Sequence, residues 1–347
     1  MAHARQPRRF VLRTVFVAAA VVLIASLYQG TAASNPFGDS VPNSWRGEWP
    51  DTDFTKSTVR FDEIISGGPP KDGIPSIDEP QFTNVGSIKT IPETEPVITL
   101  TVAGETRIYP LRFLTWHEIV NDRIGGVPVA VTYCPLCNAG IVFDARLGDG
   151  ELTFGTTGKL RKSDLVMYDR QTESWWQQFS GQAIVGQLTG QTLKMLPSRM
   201  EAFGLAKSRH PDAQVLTLQS TFSRPYGSNP YVGYDTAVRP FLFAGELPPD
   251  IDPMMRVVVV DEKAWTLPLL QNKGRIEDGD LVISWRPGQN SALDTRFIYK
   301  GRDVGNVTVQ RLVAKEGGDS GLEDQVHHVT FAFVFHAFHP EGQLFKD

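Results

Sequence analysis

Cysteine is nearly absent: 347 residues contain two, Cys134 and Cys137. Any thiol chemistry is therefore confined to one short segment, Cys134-Pro135-Leu136-Cys137. Positive charge is also scarce, with 34 Lys and Arg against 39 Asp and Glu and a net charge of -5. That balance argues against a nucleic-acid binder, which carries a basic face. The apolar stretch Val15 to Tyr28 falls short of the about 20 residues that a bilayer span needs. Complete catalytic motifs are missing too. His117-Glu118-Ile119-Val120-Asn121 opens like a zinc-protease motif but has Asn121 where the second histidine belongs. Gly155-Thr156-Thr157-Gly158-Lys159-Leu160 lacks the spacing of a phosphate loop. Gly318-Asp319-Ser320-Gly321 sits in an acidic, Gly-rich loop rather than in a protease context. All three read as loop or helix surface.

What is present points first to export. Arg5, Arg8, Arg9 and Arg13 precede the apolar stretch, and small residues from Gly30 to Ser34 follow it. This is the layout of a signal peptide, cleaved after Ala33 or retained as a membrane anchor. Arg8-Arg9 also fits a twin-arginine signal, with Pro7 in place of the usual Ser or Thr. The expected location is extracytoplasmic, periplasmic or at the cell surface, with a membrane contact through the N-terminal segment if it stays uncleaved.

Gly (31) and Pro (24) are frequent enough that short strands are expected over long helices. Residues 34–90 read as an extended arm. Val97 to Val102 and Thr106 to Tyr109 form a hairpin around Ala103-Gly104-Glu105. Leu111 to Asn121 reads as a helix. After Gly125-Gly126, the strand Val127 to Tyr133 delivers the Cys pair, and Ile141 to Phe143 leads away from it. Val257 to Trp285 repeats this layout, with Arg286-Pro287-Gly288-Gln289-Asn290 where the Cys pair would stand. Ser198 to Glu201 is a capping box opening a helix towards Arg209. Gly317 to Gly321 reads as a flexible loop before a last strand, Val329 to Phe335. The expected fold is mainly β, a β-rich α+β class with few short helices. Two similar lobes, 91–245 and 246–347, follow the leader 1–33 and the arm, and the repeat suggests an internal duplication.

The Cys-Pro-Leu-Cys segment lies between strands, and Pro135 fixes a tight turn there. Redox Cys-x-x-Cys pairs place the first cysteine at a helix N-terminus. A strand-borne turn suits a metal better, so a transition metal such as zinc, copper or iron is the leading expectation. The further ligands must come from His117, His210, His327, His328, His336 or His339. His117 is nearest in the chain, and His336 with His339 forms an H-x-x-H pair. A thiol-disulfide oxidoreductase and an inert disulfide remain open beside the metal. Asp164 and Asp169 bracket a strand followed by Arg170 and Trp175-Trp176. They read either as pocket-lining catalytic groups or as turn-forming aspartates. A non-catalytic binding module would use Tyr168, Trp175 and Trp176 as its recognition surface.

Several linked motifs resemble one family. They are Tyr109-Pro110-Leu111, Trp116 to Asp122, Val131 to Cys137, Ser163 to Arg170, His210-Pro211-Asp212 and Ala337-Phe338-His339-Pro340. Together they are similar to domain-of-unknown-function family 3179, over roughly residues 70 to 345. Its members usually have Gly where this chain has Asn138, and either residue takes the positive φ of a turn. The resemblance implies that His117, Cys134, Cys137, Asp164, Asp169, Arg170 and His339 belong to one site. It implies no reaction, and leaves the small-molecule or protein partner unspecified.

Overall fold

Short β-branched runs punctuated by Gly, Asn and Asp give a chain that is mainly strand, with few short helices. The computed structural model describes residue 1 and residues 40–218, 223–314 and 320–346. The expected leader, its twin arginines and most of the Gly317–Gly321 loop lie outside these residues. Among the described residues no helix is long and apolar enough to cross a membrane.

Five sheets of four or five strands form a propeller-like ring. Sheet 1 runs in the order Ile64–Ser66, Phe154–Arg161, Asp164–Asp169, Trp175–Gln177, Gln182–Val185. Sheet 2 orders Met195–Leu196, Ala139–Asp144, Val127–Cys134, Ile119–Ile124. Sheet 3 orders Ser198–Ala202, Pro96–Val102, Glu105–Pro110, Gln214–Thr217, Gln81–Asn84. Sheets 4 and 5 come from the C-terminal part: His328–Phe331, Arg256–Val260, Lys263–Thr266, Gln343–Phe345, then Arg275–Asp278, Leu281–Arg286, Asn306–Ala314, Ser320–Asp324.

The helices are α1 (Asn43–Glu48), α2 (Leu111–His117), α3 (Phe203–Arg209), α4 (Leu267–Lys273) and α5 (Ala332–Phe338). Sheets 3 and 4 share a plan. Each has a central antiparallel hairpin leading into α2 or α4. Each adds an antiparallel strand leading into α3 or α5, then a parallel strand, which is the edge in sheet 4 and is followed by Gln81–Asn84 in sheet 3. Both of the latter helices end on a histidine, His210 and His339. Sheets 3 and 4 thus match in order of elements and in strand pairing.

Three local readings are corrected. The helix from Leu111 stops at His117, because Glu118 takes φ 59° and the β-branched Ile119 and Val120 enter a strand. Ser198 to Ala202 is a strand paired with Pro96–Val102, so the pairing overrides the capping box and α3 starts only at Phe203. The apolar run after Val329 changes from strand to helix at Ala332. An unbroken apolar run is compatible with either form.

Residues 40–90 furnish edge strands for sheets 1 and 3. They also cover an aromatic core in which Trp49 and Phe54 lie 5.3 Å and 5.4 Å from Trp175, ring to ring. Tyr168, Trp175 and Trp176 are therefore buried, at 3%, 0% and 0% exposure, and form no recognition surface. A larger core runs from Ile119 through Phe143 and Trp176 to Phe331 and Phe333, joining both halves of the chain.

Candidate metal centre

Val127–Cys134 and Ala139–Asp144 are paired so that Cys134 faces Ala139. The four residues between them form a tight turn closed by Cys137 N–H to Cys134 C=O (3.2 Å) and Asn138 N–H to Pro135 C=O (3.1 Å). Asn138 takes φ 51°, the left-handed value that Asn tolerates. Its amide donates to Val329 C=O (3.0 Å), and Thr330 Oγ1 donates to Cys137 C=O (2.7 Å). The C-terminal strand His328–Phe331 thus clamps the turn.

Asp164 arrives from sheet 1. The preceding turn places Lys162 at φ 56° and Ser163 at φ 66°. Two successive side-chain-bearing residues in this region are costly, at about 1–3 kcal/mol each. The turn aims the Ser163 carbonyl at both sulfurs, 3.8 Å from Cys134 Sγ and 3.6 Å from Cys137 Sγ. It also brings Asp164 into the group: ligand atoms of Cys134, Cys137 and Asp164 all lie within 4.8 Å of one another. Both cysteines are free thiols. Asp164 Oδ2 accepts hydrogen bonds from Gln177 Nε2 (2.7 Å) and the Phe179 amide (2.8 Å). Its Oδ1 is buried without a hydrogen-bond partner.

The electrostatics are those of acids crowded together away from water. Burial pushes both thiols up, Cys137 the further, and the Asp164 charge adds to it. Burial also raises Asp164 to about 6, against the hydrogen bonds from Gln177 and Phe179 that hold it down. No basic side chain is among the main influences on any of the three.

Beside the turn lies a cavity of about 470 Å³, to which Cys134, Leu136, Glu118 and Tyr231 contribute. Glu118 is 8% exposed, and burial with the nearby Asp164 charge raises it to about 8. It was read as loop or helix surface; the reversal of φ after α2 turns its side chain inward instead. Lys159, from the segment that resembled a phosphate loop, is in a strand, its ammonium 2.9 Å from Glu48 Oε2.

The match that decides the family is now in place: the model for a protein of unknown function, DUF3179, fits residues 71–342. The chain belongs to the DUF3179 family. No curated protein and no solved structure matches it.

The other anticipated site residues of this DUF3179 chain are distributed as follows. His117 is buried, with Nδ1 2.7 Å from Pro75 C=O and Nε2 2.8 Å from Tyr226 Oη. His339 caps α5 and stacks on Phe335 at 5.5 Å. Asp169 accepts hydrogen bonds from the Thr172 amide (2.7 Å) and Trp176 Nε1 (2.8 Å), tying a turn and the tryptophan together. Arg170 binds Ser76 Oγ (2.7 Å) and pairs with Asp78 (3.0 Å), which fastens the N-terminal arm. His210 and His336 are half-buried, and His327 is buried with Nδ1 2.9 Å from Gln325 C=O; none of the three is grouped with the cysteines. His328 sits 5.4 Å from Phe179, ring to ring, and burial lowers it to about 3. The structure thus gathers the two cysteines with Asp164, and adds Glu118 at the cavity wall.

Proposed function

We propose that the protein is a metal-binding protein whose centre is Cys134, Cys137 and Asp164, with a zinc-class ion as the cargo. The observation that carries this reading is the set of three buried acids within 4.8 Å, with no basic side chain to compensate them. A divalent cation reverses that situation by stabilising the deprotonated forms. The orphaned Asp164 Oδ1 supports it, since a buried acceptor without a partner is uncommon. Two thiolates and a carboxylate suit zinc, and three protein ligands leave the fourth tetrahedral position for water or substrate. That is the donor count of catalytic zinc sites, and the cavity lined by Cys134 offers room for a reactant.

Burial that raises both thiols weighs against a thiol-disulfide oxidoreductase, which needs an exposed, acidic thiol. We propose also that the centre works outside the cytoplasm, on the strength of the Arg-rich leader. Cell fractionation checks this, and a cytoplasmic chain with an intact N-terminus would overturn it.

Elemental analysis and Co²⁺ titration test the centre. Wild-type protein should hold about one ion per chain and give thiolate-to-cobalt absorption. Cys134→Ser and Asp164→Asn should each weaken binding about 10-fold or more, whereas His117→Ala should leave the absorption unchanged. Wild-type protein with neither metal nor a cobalt–thiolate band would refute the proposal.

A further inference from the structure

Glu118 has three features that packing alone does not account for. It adopts φ 59° and ψ -32° at the C-cap of α2, a region that a residue with a Cβ enters only under strain. At the same place after α4, in the repeated plan, stands Gly274 with φ 69° and ψ -36°. Glycine takes this conformation at little cost, so the fold's own second copy has the easy solution where the first carries a glutamate. Thirdly, the residue is 8% exposed, and its carboxyl opens on the cavity with no hydrogen-bond partner among the described residues. It faces the cavity beside Cys134, as does Tyr231, whose hydroxyl is likewise without a protein partner among them.

The rest of the wall is apolar. Ile74, Leu160, Leu165 and Phe241 supply most of it, with Leu242 at 46% exposure marking the mouth. Lys159 also borders the cavity, but its ammonium is taken by Glu48. An anionic guest would therefore find the Glu118 carboxyl, the Cys134 thiol and no free cation among the described residues that line the space.

We infer that this cavity is a binding site for an uncharged, predominantly apolar small molecule whose one polar group is held by the Glu118 carboxyl, with Tyr231 beside it. The volume, about 470 Å³, is in the range of small-molecule sites, and apolar walls with few convergent polar groups are their usual make-up. A buried polar group that the protein leaves unsatisfied is satisfied by the guest. The site does not depend on a bound metal, because Glu118 is outside the Cys134, Cys137 and Asp164 group.

The test uses full-length protein, metal-free and zinc-loaded, and the uncharged fluorophore N-phenyl-1-naphthylamine, an apolar naphthyl and phenyl pair joined by a single N–H. Wild-type protein should bind it with a rise in fluorescence in both states. Glu118→Gln should keep the affinity within about threefold, because the amide retains an acceptor. Glu118→Gly should lose about tenfold or more although it enlarges the space and relieves the backbone. Leu242→Trp at the exposed mouth should also lose about tenfold, without disturbing the core. An absence of binding by the wild type, equal binding by Leu242→Trp, or equal binding by Glu118→Gly would each overturn the inference. Because the fluorophore is read on metal-free protein, failure of the metal reading and failure of this one remain distinguishable.

Discussion

At the scale of single residues, strain is concentrated around the cysteines. Glu118, Asn138, Lys162 and Ser163 all have positive φ, and all adjoin the turn or the groups facing it. Asn138 is the mildest case, since its amide is repaid by hydrogen bonds across the turn. Glu118 is the most costly, because the strained backbone supports a carboxyl that has no protein partner. Replacing it by the residue its counterpart uses should stabilise the protein. Relief of strain is worth about 1–3 kcal/mol, and removal of a carboxyl largely withdrawn from water adds to it. Against these stand about 1 kcal/mol of extra chain freedom in the unfolded state and some lost packing. Glu118→Gly should therefore raise the unfolding free energy by about 1 kcal/mol in a denaturant titration. A loss of stability of that size would assign Glu118 a structural role.

At the scale of elements, the cavity wall depends on how the N-terminal arm is seated on sheet 1. Gly158 interrupts the pairing of Phe154–Arg161 with Asp164–Asp169, where the register shifts between Thr156 and Lys159. A Cβ at Gly158 would stand 1.9 Å from the Pro69 carbonyl oxygen, and φ there is +68°. Gly190 also has positive φ, +90°, but open space around it. Gly158→Ala should consequently cost about 2–4 kcal/mol and expose the arm to protease, whereas Gly190→Ala should cost about 1 kcal/mol with the arm still protected. Equal sensitivity of the two variants would contradict this seating. The same segment shows what a sequence conceals. Strand periodicity made the hairpins and the Cys-Pro-Leu-Cys turn legible, because those depend on neighbours in the chain. The family resemblance joins Asp164 to the cysteines' site, but nothing local marks it as a ligand beside them, since sheet pairing between distant segments brings it there. Glu118 was passed over because its motif was judged by the missing second histidine. Gly274, at the same place after α4, is the counterpart that sets Glu118 apart. Ser198 to Glu201 misled for the opposite reason: a good local cap was outweighed by five residues of strand pairing.

At the scale of the whole molecule, the buried acids and the histidines that burial lowers together set how stability follows pH. Glu118, raised to about 8, and Asp164, raised to about 6, bind protons more tightly folded than unfolded. Their contribution is complete below the unfolded values near 4 and is lost as pH rises through 6 and then 8. His328, lowered to about 3, works the other way: its contribution is complete above pH 6.5 and is lost as pH falls below it. Between pH 6.5 and 8 Asp164 is spent, while His117, His210, His327, His328 and His339, all lowered by burial, still gain the upper end of their unfolded titration, which works against Glu118. Metal-free wild type should therefore lose about 2 kcal/mol more stability over that interval than Glu118→Gln, close to one proton's worth. Equal profiles for the two proteins would mean that Glu118 is ionised throughout. Zinc should invert the trend, because the ion competes with protons for two thiolates and a carboxylate and is held more firmly as pH rises. Thermal unfolding of wild type and Glu118→Gln at pH 6.5 and 8, with and without zinc, therefore separates the two groups of acids: the cavity carboxyl sets the difference between the metal-free profiles, and the Cys134, Cys137 and Asp164 centre sets the change that zinc makes.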